Sequence, residues 1–363
     1  MENSLYSQFK KLYRSYYNID INTDLLFDAT KGKTKCRDFI KEHFTKGCKD
    51  EVFFFPRDYK QRYYATGKHT HTVALYLLGL LLENQFSSAV FGELQTFIPD
   101  IRDWFSYKYT WFLTCLYHDA ASCIEDTPDI PLPQTLSGYF SVRNIRNYPQ
   151  DLPHVPKRFS PELIASYYEY RIQSNRLEHG ITAGYFFFDR MIKSFNSKTR
   201  GIAWVHDQWC DSKRYLVWRK SHIAHFAYIA DAIICHNIWS CTDERDVEKY
   251  RQHGLDELII HNKCDRLYLS QFSLQFILCL LDTIEPVKRF SSASVSPKDI
   301  LTNISVVFRD KNILEIKWAP LIRKQGNFPA WLGSIYSMEK WLGVTVSPCE
   351  CASDFCSIAI KIE

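Results

Sequence analysis

Trp111-Phe-Leu-Thr-Cys-Leu-Tyr-His-Asp119 is an apolar run that closes on an imidazole and a carboxylate. The density of apolar residues from Trp111 to Tyr117 predicts a helix buried in a domain core. An unpartnered Asp at the end of such a helix costs several kcal/mol of desolvation, so Asp119 calls for a cation or a donor from elsewhere in the chain.

Candidates stand at intervals on both sides. His69 and His71 precede the apolar run Val73 to Leu82, and His179 opens the segment Gly180 to Phe188. His236 ends a helix expected from Ile223 to Cys235, and Asp282 breaks the run Phe276 to Leu281. Neighbouring residues on a helix point about 100° apart, so one helix cannot surround an ion, whereas several helix ends meeting in a cleft can. Imidazoles and carboxylates together suit manganese, iron, cobalt, nickel or zinc rather than calcium. Plainer readings stay open: His179 as a cap beside Glu178, His236 as a satisfied core histidine, and His69 in place of His71. Asp282, set among six apolar residues, has little reason for burial unless something cationic meets it. His206-Asp207 lies among Gln208, Asp211, Lys213 and Arg214 and reads as a loop or lid edge. His225 falls about 16 Å from His236 along one helix, too far to share an ion, so it and His222 read as packing or substrate-side residues.

Five segments taken in order resemble the HD superfamily of metal-dependent phosphohydrolases: His71-Thr-Val-Ala-Leu-Tyr-Leu-Leu-Gly79, Leu116-Tyr-His-Asp119, Glu178-His-Gly180, Ala232-Ile-Ile-Cys-His-Asn237 and Leu280-Leu-Asp-Thr-Ile-Glu-Pro286. The resemblance runs from about Arg57 to Arg289. It implies an HD-type helical bundle in which His71, His118, Asp119 and Asp282 hold one ion. His179 and His236 would complete a second site, with Asp119 bridging. It implies one or two divalent transition metals (Mn, Fe, Co, Ni or Zn, with Mg as a further option) and His118 and Asp119 at the catalytic centre. The activity implied is hydrolysis of a phosphate ester or diester of a nucleotide-like substrate by a metal-bound hydroxide.

The chain departs from better-known members. Ala120-Ala-Ser122 follows the dipeptide where many carry Gly-Lys, and no Gly-Tyr-Pro signature occurs. Replacement phosphate contacts are expected from Arg57, Arg62 and Lys68 before the first ligand and from Lys288 and Arg289 after Asp282, although each also reads as a solvated flanking charge. Two other functions remain in play: a non-catalytic module binding metal and nucleotide for signalling, and a metal-dependent single-strand nuclease. The formal net charge is only +4, with no basic tail or stripe, so a small phosphorylated substrate is favoured over nucleic acid. The sequence leaves self-association as a homo-oligomer open.

The 363 residues predict a mainly α protein with a small C-terminal α+β appendage. The expected divisions are an N-terminal helical extension (1–57), the helical metal-binding domain (58–290) and the α+β unit (291–363). Within these, short helices are expected over Ser4 to Tyr17 and Cys36 to Phe44, and a proline-rich connection, lid or solvated loop, over Asp126 to Pro161. In the last unit, strands are expected over Ile304–Phe308, Ile313–Trp318, Val344–Val346 and Ser357–Ile362, with a helix from Ala330 to Leu342 and a linker at Ser291 to Pro297. Aromatics make up 15% of the chain and fall mostly inside apolar runs, where they read as core. Of the twelve cysteines, Cys115, Cys235 and Cys279 lie in such runs. With no signal peptide before Met1-Glu-Asn-Ser4, reduced thiols and a cytoplasmic location are the simplest account. Cys349, Cys351 and Cys356 are close in sequence but lack an evident fourth zinc ligand. No apolar run is long enough for a membrane span, since Glu83 and Asn84 stop the run ending at Leu82.

Overall fold

The computed structural model describes residues 3–15, 68–86, 107–122, 133–176, 178–199, 205–206, 215–216, 220, 222–290, 295–310, 312–352 and 354–363. The expected helix over Cys36 to Phe44, and Arg57 and Arg62, lie outside these residues, as do the side chains of Lys68 and His69.

Helices dominate. In chain order they are α1 (Leu5–Ser15), α2 (Lys68–Phe86), α3 (Tyr107–His118), α4 (Leu136–Arg143), α5 (Pro161–Gln173) and α6 (His179–Thr199). A two-stranded pair, β1 (Val205–His206) and β2 (Tyr215–Leu216), precedes α7 (His222–Cys235), α8 (Glu244–Gln252), α9 (Ser273–Ile284) and the single turn α10 (Val287–Phe290). His206, expected in a loop, sits in β1, while Asp207 is outside the described residues.

The helical core is built from apolar runs buried nearly all round. On α3, Tyr107 and every residue from Tyr109 to His118 are buried, and on α9 so are Ser273 to Leu281 and Ile284. Helix α3 crosses α2 at Gly79, over which the Trp111 indole lies; a Cβ there would occupy the indole's own position. The ring is held by Trp111 Nε1–H donating to the Tyr76 carbonyl at 3.1 Å, and Tyr107 O–H donates to the Gly79 carbonyl at 3.3 Å. Aromatic edges tie α3 to α6 and α6 to α7, through Tyr117 on Phe187 (4.7 Å between centroids) and Phe187 on Phe226 (6.2 Å).

The proline-rich connection is a packed cover and not a free loop over its described part. Thr135 Oγ1 caps α4 by accepting the Gly138 N–H, Asn144 ends it in the left-handed conformation, and a short 3-10 turn follows at Pro149–Asp151. Ile145, Val155 and Phe159 are buried, and Asp189 Oδ1 of α6 accepts the N–H groups of Arg146 and Asn147. Two prolines there start elements: Pro149 opens the 3-10 turn, and Pro161 is the first residue of α5, whose cap is Ser160 Oγ accepting from Leu163 N–H.

The C-terminal unit comprises α11 (Pro297–Thr302), β3 (Ile304–Asp310), β4 (Ile313–Trp318), α12 (Pro320–Arg323), α13 (Phe328–Ser337), β5 (Val344–Val346), β6 (Glu350–Cys351) and β7 (Cys356–Ile362). Its strands form an antiparallel sheet in the order β3-β4-β7-β5, with β6 also on β7. Sequence reading placed four of the strands within two residues at each end and missed β6 and α11; the residues read as a linker run into the Ser296-capped start of α11. The expected helix to Leu342 stops at Ser337 and continues as a 3-10 turn, Met338–Lys340.

Aromatic packing and hydrogen bonds join this unit to the rest, Asn327 Nδ2–H donating to the Arg289 carbonyl and the Leu267 N–H to the Trp341 carbonyl, both at 2.9 Å. Trp331 of α13 packs edge-on against Phe290 of α10 at 5.2 Å and against Trp318 of β4 at 5.8 Å. Helix α1 reaches the sheet, where Gln8 Nε2–H donates to the Val306 carbonyl at 3.1 Å. The expectation of reduced thiols fails for one pair: Cys351 and Cys356 face each other in the β6–β7 register and are joined as a disulfide. Cys115, Cys235, Cys241 and Cys279 are buried and outside any disulfide. Among the described residues, no helix is long and apolar enough to cross a membrane.

Candidate metal centre

Five elements bring six side chains together. His71 comes from the first turns of α2, and His118 is the last residue of α3, with Asp119 directly after it. His179 is the first residue of α6, His236 follows the last residue of α7, and Asp282 lies in the final turn of α9. His71, His118 and Asp119 are buried, while Asp282 is 19% exposed and so faces both the cluster and solvent.

The first group is His71, His118 and Asp282. His71 Nε2 lies 3.0 Å from Asp282 Oδ1 and 3.2 Å from His118 Nε2, and His118 Nε2 is 3.7 Å from Asp282 Oδ1. Asp119 Oδ2 is 3.7 Å from His71 Nε2 and 3.9 Å from His118 Nε2. Ligand atoms about 2.1 Å from one cation are separated from each other by roughly 3.0–3.5 Å, and these spacings scatter about that range. The second group is Asp119, His179 and His236, with Asp119 Oδ1 3.1 Å from His179 Nε2. The two oxygens of Asp119 thus turn to different groups.

The backs of the rings decide the tautomers. His71 Nδ1–H donates to Glu285 Oε2 at 2.7 Å, and carboxylates only accept. His118 Nδ1–H donates to the Cys115 carbonyl at 2.9 Å, and His236 Nδ1–H to the Ile233 carbonyl at 2.6 Å. In the neutral rings each Nε2 therefore carries a lone pair, and those of His71 and His118 face each other. Two lone pairs at 3.2 Å repel unless a proton or a metal ion lies between them.

Glu285 is itself fixed. It is fully buried, one turn beyond Asp282, and accepts the N–H groups of Val287 and Lys288 at 2.7 and 2.9 Å. Asn237 orients the far side: its Oδ1 accepts Trp239 Nε1–H at 2.8 Å, which turns its amide nitrogen toward the His179 ring, 3.2 Å from Nε2. Gly180 lets α6 approach α7, because a Cβ there would stand 3.0 Å from both the His236 ring and the Ile233 carbonyl.

No family model matches the chain, and no curated protein or solved structure matches it significantly. The centre is accordingly described from its own atoms.

Charge is distributed unevenly across it. Burial and the Lys288 charge push the His71 pKa down, but hydrogen bonds to Asp282 and Glu285 outweigh both and leave it raised. Burial lowers His118 against the pull of Asp119, and burial with the neighbouring His118 and His179 takes His236 down to about 3. Burial opposes ionisation of Asp282, yet Lys288, His118 and His71 hold its carboxyl well below the usual range.

Lys288, expected as a substrate contact at the mouth, lies against the two carboxylates of the cluster. Its Nζ stands 3.3 Å from Asp282 Oδ1 and 3.6 Å from Asp119 Oδ2. Burial disfavours the ammonium, but Asp119 and Asp282 more than offset this and raise its pKa. Arg289, the neighbouring expectation, lines a cleft together with His236 and Asp282. His222 and His225 are buried in α7, as packing residues would be. The sequence reading passed over Glu285 and Asn237. An acid before Pro286 reads as a helix end, and an Asn after a helix-terminal His reads as a cap, so neither announces its role.

Proposed function

We propose that this chain is an HD-type metal-dependent phosphohydrolase acting on a phosphate ester of a nucleotide-like substrate. The observation that carries this reading is the common orientation of His71, His118 and His236: each Nδ1–H is bonded to a fixed acceptor, which leaves Nε2 for a cation in a pocket that also holds two carboxylates. The facing Nε2 atoms of His71 and His118 call for a proton or a cation between them, and the two carboxylates beside them suit a cation.

His71, His118, Asp119 and Asp282 would hold one divalent ion, and His179 and His236 with the second oxygen of Asp119 another. Bound ions supply Lewis acidity toward a phosphoryl oxygen and lower the pKa of water beside it. The protein's part is orientation and charge. Glu285 and the Cys115 and Ile233 carbonyls hold the rings in the ligand tautomer, and burial keeps His236 neutral far into the acid range. The Lys288 ammonium offsets the two carboxylates and can turn to the substrate's phosphoryl oxygens once a cation takes its place beside them. Balance requires that water oxygen bonds phosphorus, the ester P–O bond breaks, and the water proton ends on the leaving oxygen.

The test is elemental analysis of the purified protein together with hydrolysis of bis-p-nitrophenyl phosphate and nucleotides under Mn²⁺, Fe²⁺, Co²⁺, Ni²⁺, Zn²⁺ and Mg²⁺ in turn. Wild type is expected to carry one to two equivalents of metal and to hydrolyse an ester, and His118→Ala and Asp119→Ala to lose both. Glu285→Gln, which leaves the ligands intact but weakens the acceptor behind His71, is expected to weaken metal binding about 10–100-fold. A metal-free wild type, or His118→Ala with unchanged metal content, refutes the reading. Metal without turnover on any ester would make the chain a binding module.

A further inference from the structure

Beside the metal cluster lies a cleft of about 270 Å³ lined by His236 and Asp282 together with Arg158, Arg289, Ser334 and Trp341. Its walls come from separate parts of the chain. Arg158 belongs to the segment before α5, Arg289 to α10, and Ser334 to α13 of the C-terminal unit. Cys279, Asp282 and Thr283 fall at i, i+3 and i+4 on α9 and share one face, so the cleft runs along the helix that carries a candidate ligand.

Neither arginine is in an ion pair among the described residues, although Asp231 is close enough to Arg158 to feel its charge. Arg158 is half-buried with its guanidinium 4.6 Å above the Phe159 ring, and Asp231 accepts its backbone N–H rather than its side chain. Arg289 Nε is buried and finds no hydrogen-bond partner among the described residues. Among the described residues neither guanidinium has a carboxylate within ion-pair distance. The one carboxylate in the cleft wall, Asp282, is engaged by His71 and Lys288. A buried donor without an acceptor, as at Arg289 Nε, is costly, and a planar fork of N–H groups is matched best by phosphate or carboxylate oxygens.

We propose that Arg158 and Arg289 form an anion subsite, walled by α13, that receives a second phosphate of the substrate while the reacting phosphate sits at the metal cluster. The substrate class is then a compact polyphosphate-bearing nucleotide rather than a monophosphate or an oligonucleotide strand. A cleft of about 270 Å³ lies at the lower bound for ligand sites, which favours a compact ligand over successive nucleotides. It also gives the C-terminal unit a task, since Ser334, Ser337 and Trp341 line the cleft. The proposal rests on the phosphohydrolase reading for the position of the reacting phosphate.

The experiment is calorimetric titration of the full chain in saturating Mg²⁺ with AMP and with the α,β-methylene analogue of ADP, with metal content read in the same samples. Wild type should bind the diphosphate analogue at least about tenfold more tightly than AMP. Arg158→Gln and Arg289→Gln should each cut that preference about tenfold, with metal content retained. Arg158→Lys and Arg289→Lys, which keep the charge but lose the fork, should show a smaller loss and serve if a Gln variant does not fold. Equal wild-type affinity for the two nucleotides, or a preference surviving in the double Gln variant, overturns the subsite. Loss of ester hydrolysis with the preference intact would remove the hydrolase reading alone.

Discussion

Asp231, in the middle of α7, is 5% exposed, and burial lifts its carboxyl to about 7 despite the opposing Arg158 N–H bond and nearby positive charge. The folded state therefore holds a proton on Asp231 between roughly pH 4 and 7 that the unfolded chain releases. Stability from this group is complete below the ordinary carboxyl value and is lost as pH rises through the folded value. Thermal melts at pH 5 and pH 8 check this: Asp231→Asn, which stays neutral, should reduce the loss of stability between them by about 2 to 3 kcal/mol relative to wild type. An unchanged difference would mean that Asp231 is ionised in the folded protein. The clustered carboxylates were legible in sequence for the same physical reason that makes Asp231 costly, since Asp119 follows one buried apolar helix and Asp282 breaks another, where a charge needs a partner. Glu285 was not legible: its role depends on a hydrogen bond to a histidine 214 residues earlier, which no local pattern encodes.

At the level of elements, the crossing of α2 and α3 sets two opposing effects against each other. Alanine favours a helix interior over glycine by roughly 1 kcal/mol. At Gly79, however, a methyl group would displace the Trp111 indole and break its hydrogen bond to the Tyr76 carbonyl. Overpacking costs about 1–3 kcal/mol, with the lost bond in addition, so the steric term wins. Gly79→Ala should lower the melting temperature by several degrees, and a variant as stable as wild type would show that the indole has room to move. β4 was readable from the alternation of Leu314, Ile316 and Trp318, all buried, and α9 from its unbroken apolar run. The six-residue α11 and the two-residue β6 depend on neighbours: one begins at the Ser296 cap beneath the sheet, the other exists through pairing with β7. The extension of β3 past Phe308 to the polar Arg309 and Asp310 follows a register shift that sequence alternation does not signal.

Across the whole molecule, the helical region and the C-terminal sheet share Trp331, which touches Phe290 on one side and Trp318 on the other. An interface built on a fully buried tryptophan couples the two parts, so calorimetry should show one unfolding transition. Trp331→Ala should shift that transition by about 3–5 kcal/mol, whereas two transitions in the wild type would make the units independent. The boundary near residue 290 reads as a change of pattern in sequence, yet α1 crosses it to bond with β3. Gln8 and Val306 are 298 positions apart, and ribosomes add about 5–20 residues each second. Between the emergence of α1 and that of its strand partner, roughly 15 to 60 s pass, during which the apolar face of Leu5, Phe9 and Leu12 has no sheet to cover it. The sheet contact of α1 can therefore form only when synthesis is nearly over, which makes the docking of the first helix one of the last steps in assembling the molecule.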